Sequence, residues 1–210
     1  MQAAAPIATI ALHPVPLHTS LVTSISIVGC HGLKNLDQFL VPRNLPSVES
    51  ILLEKCDNLE SIPADGFVGF LHLRDLKLCS CRSLVHPHRQ KMALPPALRR
   101  LCIGSCGQLD RSFISSLEKV TSLTVLCLIS CHNIESIPLD LIPCRNTLRF
   151  LLLACCHKLS SIGGSGIPSS IECVSVSGCP KLTQVQQPYK KNIGGMSDAG
   201  FLQGTGPAWL

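Results

Sequence analysis

Three Cys-His pairs, Cys30-His31, Cys131-His132 and Cys156-His157, are the residues of this chain best equipped for chemistry. A thiol beside an imidazole could be an activated nucleophile, because the thiolate is the attacking form. The same residue types could ligate zinc, which takes four donors converging at about 2.0–2.3 Å. Their spacing argues against both. The cysteines belong to a longer series, Cys30, Cys56, Cys81, Cys106, Cys131, Cys156 and Cys179, with steps of 26, 25, 25, 25, 25 and 23 residues. A ladder of nearly equal steps spreads its ligands along a line rather than around a point. A thiol pointing into a packed interior is inert, and each histidine then faces the loop surface. No Ser-His-Asp arrangement and no carboxylate pair in a predicted cleft accompanies them. The expectation is a protein with no catalytic residues, no metal and no cofactor, hence not an enzyme.

The cysteines sit in a wider frame. Eight residues before each stand Val22, Val48, Leu73, Leu98, Leu123, Leu148 and Ile171. Five before stand Ile25, Ile51, Leu76, Leu101, Leu126, Leu151 and Val174, and three before stand Ile27, Leu53, Leu78, Ile103, Leu128, Leu153 and Val176. Three after stand Leu33, Leu59, Leu84, Leu109, Ile134, Leu159 and Leu182. No column contains a polar residue. The column six after is looser: Leu36, Ile62, Pro87, Ser112, Ile137, Ile162 and Val185. The clearest copy is LTVLCLISCHNIESI, residues 123–137.

A fixed period in this range marks stacked supersecondary units, and the L-x-x-L-x-L-x-x-C frame is that of a leucine-rich repeat. The expected fold is an α/β leucine-rich-repeat solenoid of about seven repeats. It has a curved parallel sheet on its concave face and a mostly irregular convex side. Each copy opens with a short strand whose alternate residues, five and three before the cysteine, point inward. One copy cannot cover its own apolar face, so stability is approximately a sum over copies and their neighbours. The cysteine follows where the chain turns inward, and a small side chain there can meet backbone groups that the turn leaves unpaired.

Three parts follow: an irregular segment 1–21, the array 22–185 and a flexible tail 186–210. The first segment contains His13-Pro14-Val15-Pro16 and shows no cap for the first repeat, which suggests a fragment or a true start upstream. Among the return stretches, SFISSLEKV (112–120) puts Phe113, Leu117 and Val120 at helical spacing. The stretches ADGFVGF (64–70) and LDLIPCRN (139–146) read as tight turns, and the proline-bearing VHPHRQKMALPPAL after Leu84 as coil.

Composition supports a stacked aliphatic core: 46% of the 210 residues are hydrophobic, 15% charged and 4% aromatic. The net charge of +5 is spread thinly, and the one Trp and one Tyr lie outside the array, so nucleic-acid binding is not expected. No apolar run reaches the ~20 residues of a membrane span. The apolar start AAAPIATIAL has no preceding basic residue and is interrupted by prolines, unlike a secretory signal. The cysteines number thirteen. Neighbouring ladder cysteines would lie about 4.8 Å apart with parallel side chains, whereas a disulfide needs Cβ atoms at ~3.5–4.5 Å facing each other. Reduced thiols in a cytoplasmic setting are expected.

The columns, with the tails N-L-E-S-I-P (58–63) and N-I-E-S-I-P (133–138), resemble the C-terminal repeats of plant nucleotide-binding leucine-rich-repeat disease-resistance receptors. The resemblance spans residues 22 to about 185. It includes SISIVGCHGLKNL (24–36) and VSVSGCPKLTQV (174–185), which are similar to that family's degenerate late repeats. It implies an intracellular sensing module for defence, whose protein partner is a pathogen effector, a guarded host protein or the receptor's own nucleotide-binding domain. The family's phosphate loop G-x-x-x-x-G-K-[ST] is missing: GGSGIPSS (163–170) has glycines but no lysine. Only the sensing module carries over. The alternatives are a substrate adaptor of the F-box leucine-rich-repeat type, whose repeats continue I-T-D and then a helix, and a nonfunctional receptor fragment. Receptor kinases of plants, with Asn at the cysteine position and L-x-G-x-I-P after it, match less well. The reading frame upstream of Met1 discriminates the first two.

Binding is expected on the concave face, at positions six, four and two before each cysteine. Repeats five and six put Val125, Cys127, Ile129, Phe150 and Leu152 there, while repeats three and four put Asp75, Lys77 and Arg100. Arg74, Arg99 and Arg149 occupy the adjoining column. An apolar patch beside charges has the form of an interface core and rim. Phe150 and Leu152 are its expected centre.

Overall fold

Five-residue segments with alternating apolar positions form the strands, as the period-two pattern requires. The computed structural model describes residues 21–63, 65–84, 92–106, 111–163 and 167–182. The expected tail 186–210, nearly all of the N-terminal segment, Pro87, Leu109 and Val185 lie outside them. In chain order the strands are β1 (Ser24–Val28), β2 (Ser50–Glu54), β3 (Asp75–Cys79), β4 (Arg100–Gly104), β5 (Val125–Ile129), β6 (Ser136–Ile137), β7 (Phe150–Ala154), β8 (Ser161–Ile162) and β9 (Cys173–Ser177). Seven of them form one parallel sheet in the order β1-β2-β3-β4-β5-β7-β9, and β6 pairs with β8 in a second. The register is unbroken: Ile25 aligns with Ile51, then Leu76, Leu101, Leu126, Leu151 and Val174.

The molecule is thus a parallel-strand solenoid with almost no helix. The one α-helix among the described residues, Arg111–Ser116, runs into a 3-10 turn at Leu117–Lys119. Leu117 and Val120 are buried as the helical spacing predicts, while the side chain of Phe113 lies outside what is described. The LDLIPCRN stretch contains a 3-10 turn, Pro143–Asn146, that sends Cys144 into the core. Residues 65–69 form turns. Gly66 there has φ +62, and a Cβ on it would meet the Ala93 carbonyl oxygen at 2.5 Å, so only glycine fits.

The inward columns make one continuous core. Leu53, Leu78, Leu101, Ile103, Leu126, Leu128 and Leu151 are fully buried, each contributing roughly 1.5–3 kcal/mol. Ile25, Val174 and Val176, in the two end copies, are only partly covered because each has a neighbouring copy on one side.

Each of the seven strands of the main sheet ends in the same device. The residue before each ladder cysteine has a left-handed backbone: Gly29, Lys55, Ser80, Ser105, Ser130, Cys155 and Gly178, with φ between 51 and 67. A Cβ-bearing residue there costs roughly 1–2 kcal/mol. The bend lets its N–H reach the last strand residue of the next copy, as in Lys55 to the Cys79 carbonyl at 3.0 Å and Ser80 to the Gly104 carbonyl at 2.7 Å. The cysteine then turns inward. Cys131 Sγ lies 3.6 Å from both the Ile129 carbonyl and the Ile103 carbonyl of the preceding copy, and Cys156 repeats this with Ala154 and Leu128. The thiol column therefore stitches neighbouring copies together through their backbones.

Candidate protein-binding face

The strand residues that point away from the core are those six, four and two before the cysteine. On β5 and β7 they are apolar, and neither strand carries a charge. Val125, Cys127, Ile129 and Leu152 form a second apolar cluster, separate from the core, with Cys102, Phe150 and Ala154 packed against it. The register makes it: Cys127 sits between Cys102 and Leu152, Val125 beside Phe150, and Ile129 between Gly104 and Ala154.

One expectation needs correction here. Residues expected to meet a partner should be accessible, yet Cys127 is 0% exposed, Leu152 5%, Ile129 7% and Val125 8%. The physical reason is lateral. Strands about 4.8 Å apart bring in-register side chains into contact, so neighbours along a row, such as Cys102, Cys127 and Leu152, cover one another without a third layer. Phe150 keeps part of its surface accessible. The patch is a close-packed apolar floor whose partly accessible members are Phe150, Cys102 and Ala154.

Beside the floor the charges are arranged more tightly than composition suggests. Arg100 donates from Nε and Nη2 to the two carboxylate oxygens of Asp75 on the neighbouring strand, the latter bond 2.6 Å long. That hydrogen bonding raises the Arg100 pKa above its ordinary value. Asp75, Lys77, Arg100, Cys102, Val125 and Cys127 share a shallow hollow of about 240 Å³. The expected charged and apolar halves of the face are thus contiguous, but Arg100 is already engaged within the chain. Arg149 Nη1 lies 3.7 Å from Glu172 Oε1.

The Cys-His pairs divide as their ladder position requires. Cys131 and Cys156 are buried, while His132 and His157 are exposed and stacked on each other, ring centroids 4.9 Å apart and 17° from parallel. Their Nδ1 atoms are 3.1 Å apart. His31 lies 3.6 Å from Asp57. Among the described residues no three His, Cys, Asp or Glu side chains converge on a point that could hold a metal ion.

All thirteen cysteines are free thiols. The hydrogen bond with Cys156, then burial, pushes Cys131 above the ordinary thiol range, while Cys156, sharing that bond, is held lower. On the open face the bond to Cys127, together with burial, pushes Cys102 up to about 12. Burial alone pushes Cys144 up to about 11. These three keep their protons at neutral pH and are poor nucleophiles.

Two features escaped the sequence reading. The left-handed column mixes Gly, Lys, Ser and Cys, so no shared side-chain property marks it; only Gly29 and Gly178 hint at it. Cys102 and Ala154 complete the apolar floor, which the −4 and −2 columns could have shown had neighbours been compared across copies. Comparison with known proteins gives no match to a family model, a curated protein or a solved structure.

Proposed function

We propose that the chain is a leucine-rich-repeat module that binds a protein through the open face of its main sheet. By its resemblance it is the sensing part of a plant intracellular immune receptor. The observation that carries the binding role is the charge-free floor on β5 and β7, an apolar cluster outside the core in which Phe150 stays partly accessible. An apolar cluster outside the core, with partly accessible members and a charged hollow beside it, is the pattern of an interface. The in-register sheet and the inward cysteine column are consistent with leucine-rich repeats. Thirteen free thiols fit a reducing compartment such as the cytoplasm. No helix among the described residues is long and apolar enough to cross a membrane.

The F-box type of repeat would place a helix after each cysteine turn, and one six-residue α-helix is present among the described residues. The adaptor reading therefore gains no support from the fold. Two observations test the proposal. A nucleotide-binding reading frame directly upstream of Met1 would support the receptor assignment, and an F-box there would replace it. Coexpression of this chain with that nucleotide-binding domain, read by co-precipitation, should give a complex that Phe150→Ala weakens. An equally strong complex with the variant would place binding elsewhere.

A further inference from the structure

The charges around the apolar floor specify the chemistry of a partner. Arg99 is exposed at the entrance of β4, and its carbonyl accepts the N–H groups of Thr124 and Val125 at 2.8 and 3.0 Å, so it adjoins the start of β5. It has no acidic partner among the described residues. Arg149 directly precedes Phe150 and is the one arginine of this rim with an acid nearby, Glu172 at 3.7 Å. At the opposite rim, beyond the cysteines that follow β5 and β7, stand His132, His157 and Lys158, all exposed. Lys158 Nζ donates to Asn133 Oδ1 at 3.3 Å, a neutral contact that leaves its charge uncompensated. The nearest strand carboxylate, Asp75, is neutralised by Arg100. The floor therefore lies between Arg99 on one side and Lys158 on the other and contains no charge of its own.

We propose that this face takes an acidic peptide segment of a partner protein, with one or two apolar side chains seated against Phe150 and Leu152 and carboxylates on either side meeting Arg99 and Lys158. This rests on the reading of the sheet face as a protein-binding surface and adds the charge of the partner. Rim charges of this kind steer encounter and reject like-charged competitors, while the apolar centre supplies most of the affinity. A basic or neutral apolar peptide would meet the same floor but lose the rim contacts.

The test is selection of a phage-displayed random peptide library on the full chain, followed by binding of synthetic copies of the enriched peptides. The expected peptides carry an apolar pair with Asp or Glu on both sides. Their binding weakens about tenfold or more with Arg99→Glu plus Lys158→Glu, falls with added salt, and falls with Phe150→Ala. Both charge changes lie on exposed residues, and circular dichroism confirms that the variants fold. Enriched peptides that need Phe150 but bear no acidic residues, or that ignore the charge reversals, overturn the acidic-partner inference and leave the sheet-face reading standing. Peptides indifferent to Phe150 overturn both. Failure to enrich any peptide also overturns the inference.

Discussion

Arg100 and Asp75 close a two-pronged ion pair between β3 and β4, at the boundary between the charged hollow and the apolar floor. The pair keeps a carboxylate beside the floor without leaving it free to repel an acidic partner. It also shows how the solenoid places side chains: one column of the frame, six before the cysteine, becomes one row of lateral neighbours.

Because the two side chains are 45% and 28% exposed, the pair is partly screened. Arg100→Ala is expected to lower unfolding stability by about 1 kcal/mol or less. Urea denaturation measures this. A loss several times larger would mean that the pair organises the sheet rather than decorating it.

The left-handed column gives a sharper prediction. Ser105 has φ 51, and its N–H bonds the Ile129 carbonyl at 2.9 Å. Ser105→Gly should stabilise by roughly 0.5–1 kcal/mol by removing the Cβ conflict, and Ser105→Val should destabilise by at least as much. Equal midpoints for both variants would contradict the bend.

Within the core, Leu153→Asp puts a carboxylate at a position that is 1% exposed. Local unfolding of the array is expected, seen as lost strand signal and a melting point several degrees lower. An unchanged melting curve would refute the register.

Buried thiols make stability depend on alkaline pH. An ordinary thiol titrates near about 8.5, whereas Cys102 is held up to about 12 and Cys144 up to about 11. Above about pH 8.5 the unfolded chain therefore binds fewer protons than the folded one. Stability should be insensitive to these groups below that pH and fall above it, by at most about 1.4 kcal/mol per pH unit for each thiol. Urea midpoints across the alkaline range check the sign, and Cys144→Ala should make the decline shallower. A flat profile would contradict the burial of these thiols.

How much of this was legible in the sequence follows from what repeats. Leu126, Leu128 and Cys131 recur in type as well as position, so the strands, their register and the inward thiols were readable from one chain. The helix at Arg111–Ser116 was readable from spacing. Cys127 was not: its burial depends on Cys102 and Leu152, residues 25 positions away on either side, and a single copy reads as one covered and one open face. The Arg100–Asp75 pair was hidden for the same reason, since the residues are neighbours only after stacking.

The most direct test of the account is backbone hydrogen exchange on the full chain, with and without a library-selected peptide. The account predicts slow exchange along β2, β3, β4, β5 and β7 in the free chain, and further slowing concentrated on β5 and β7 when the peptide is added. Fast exchange along those strands in the free chain, or protection by the peptide confined to the opposite side of the solenoid, would contradict it.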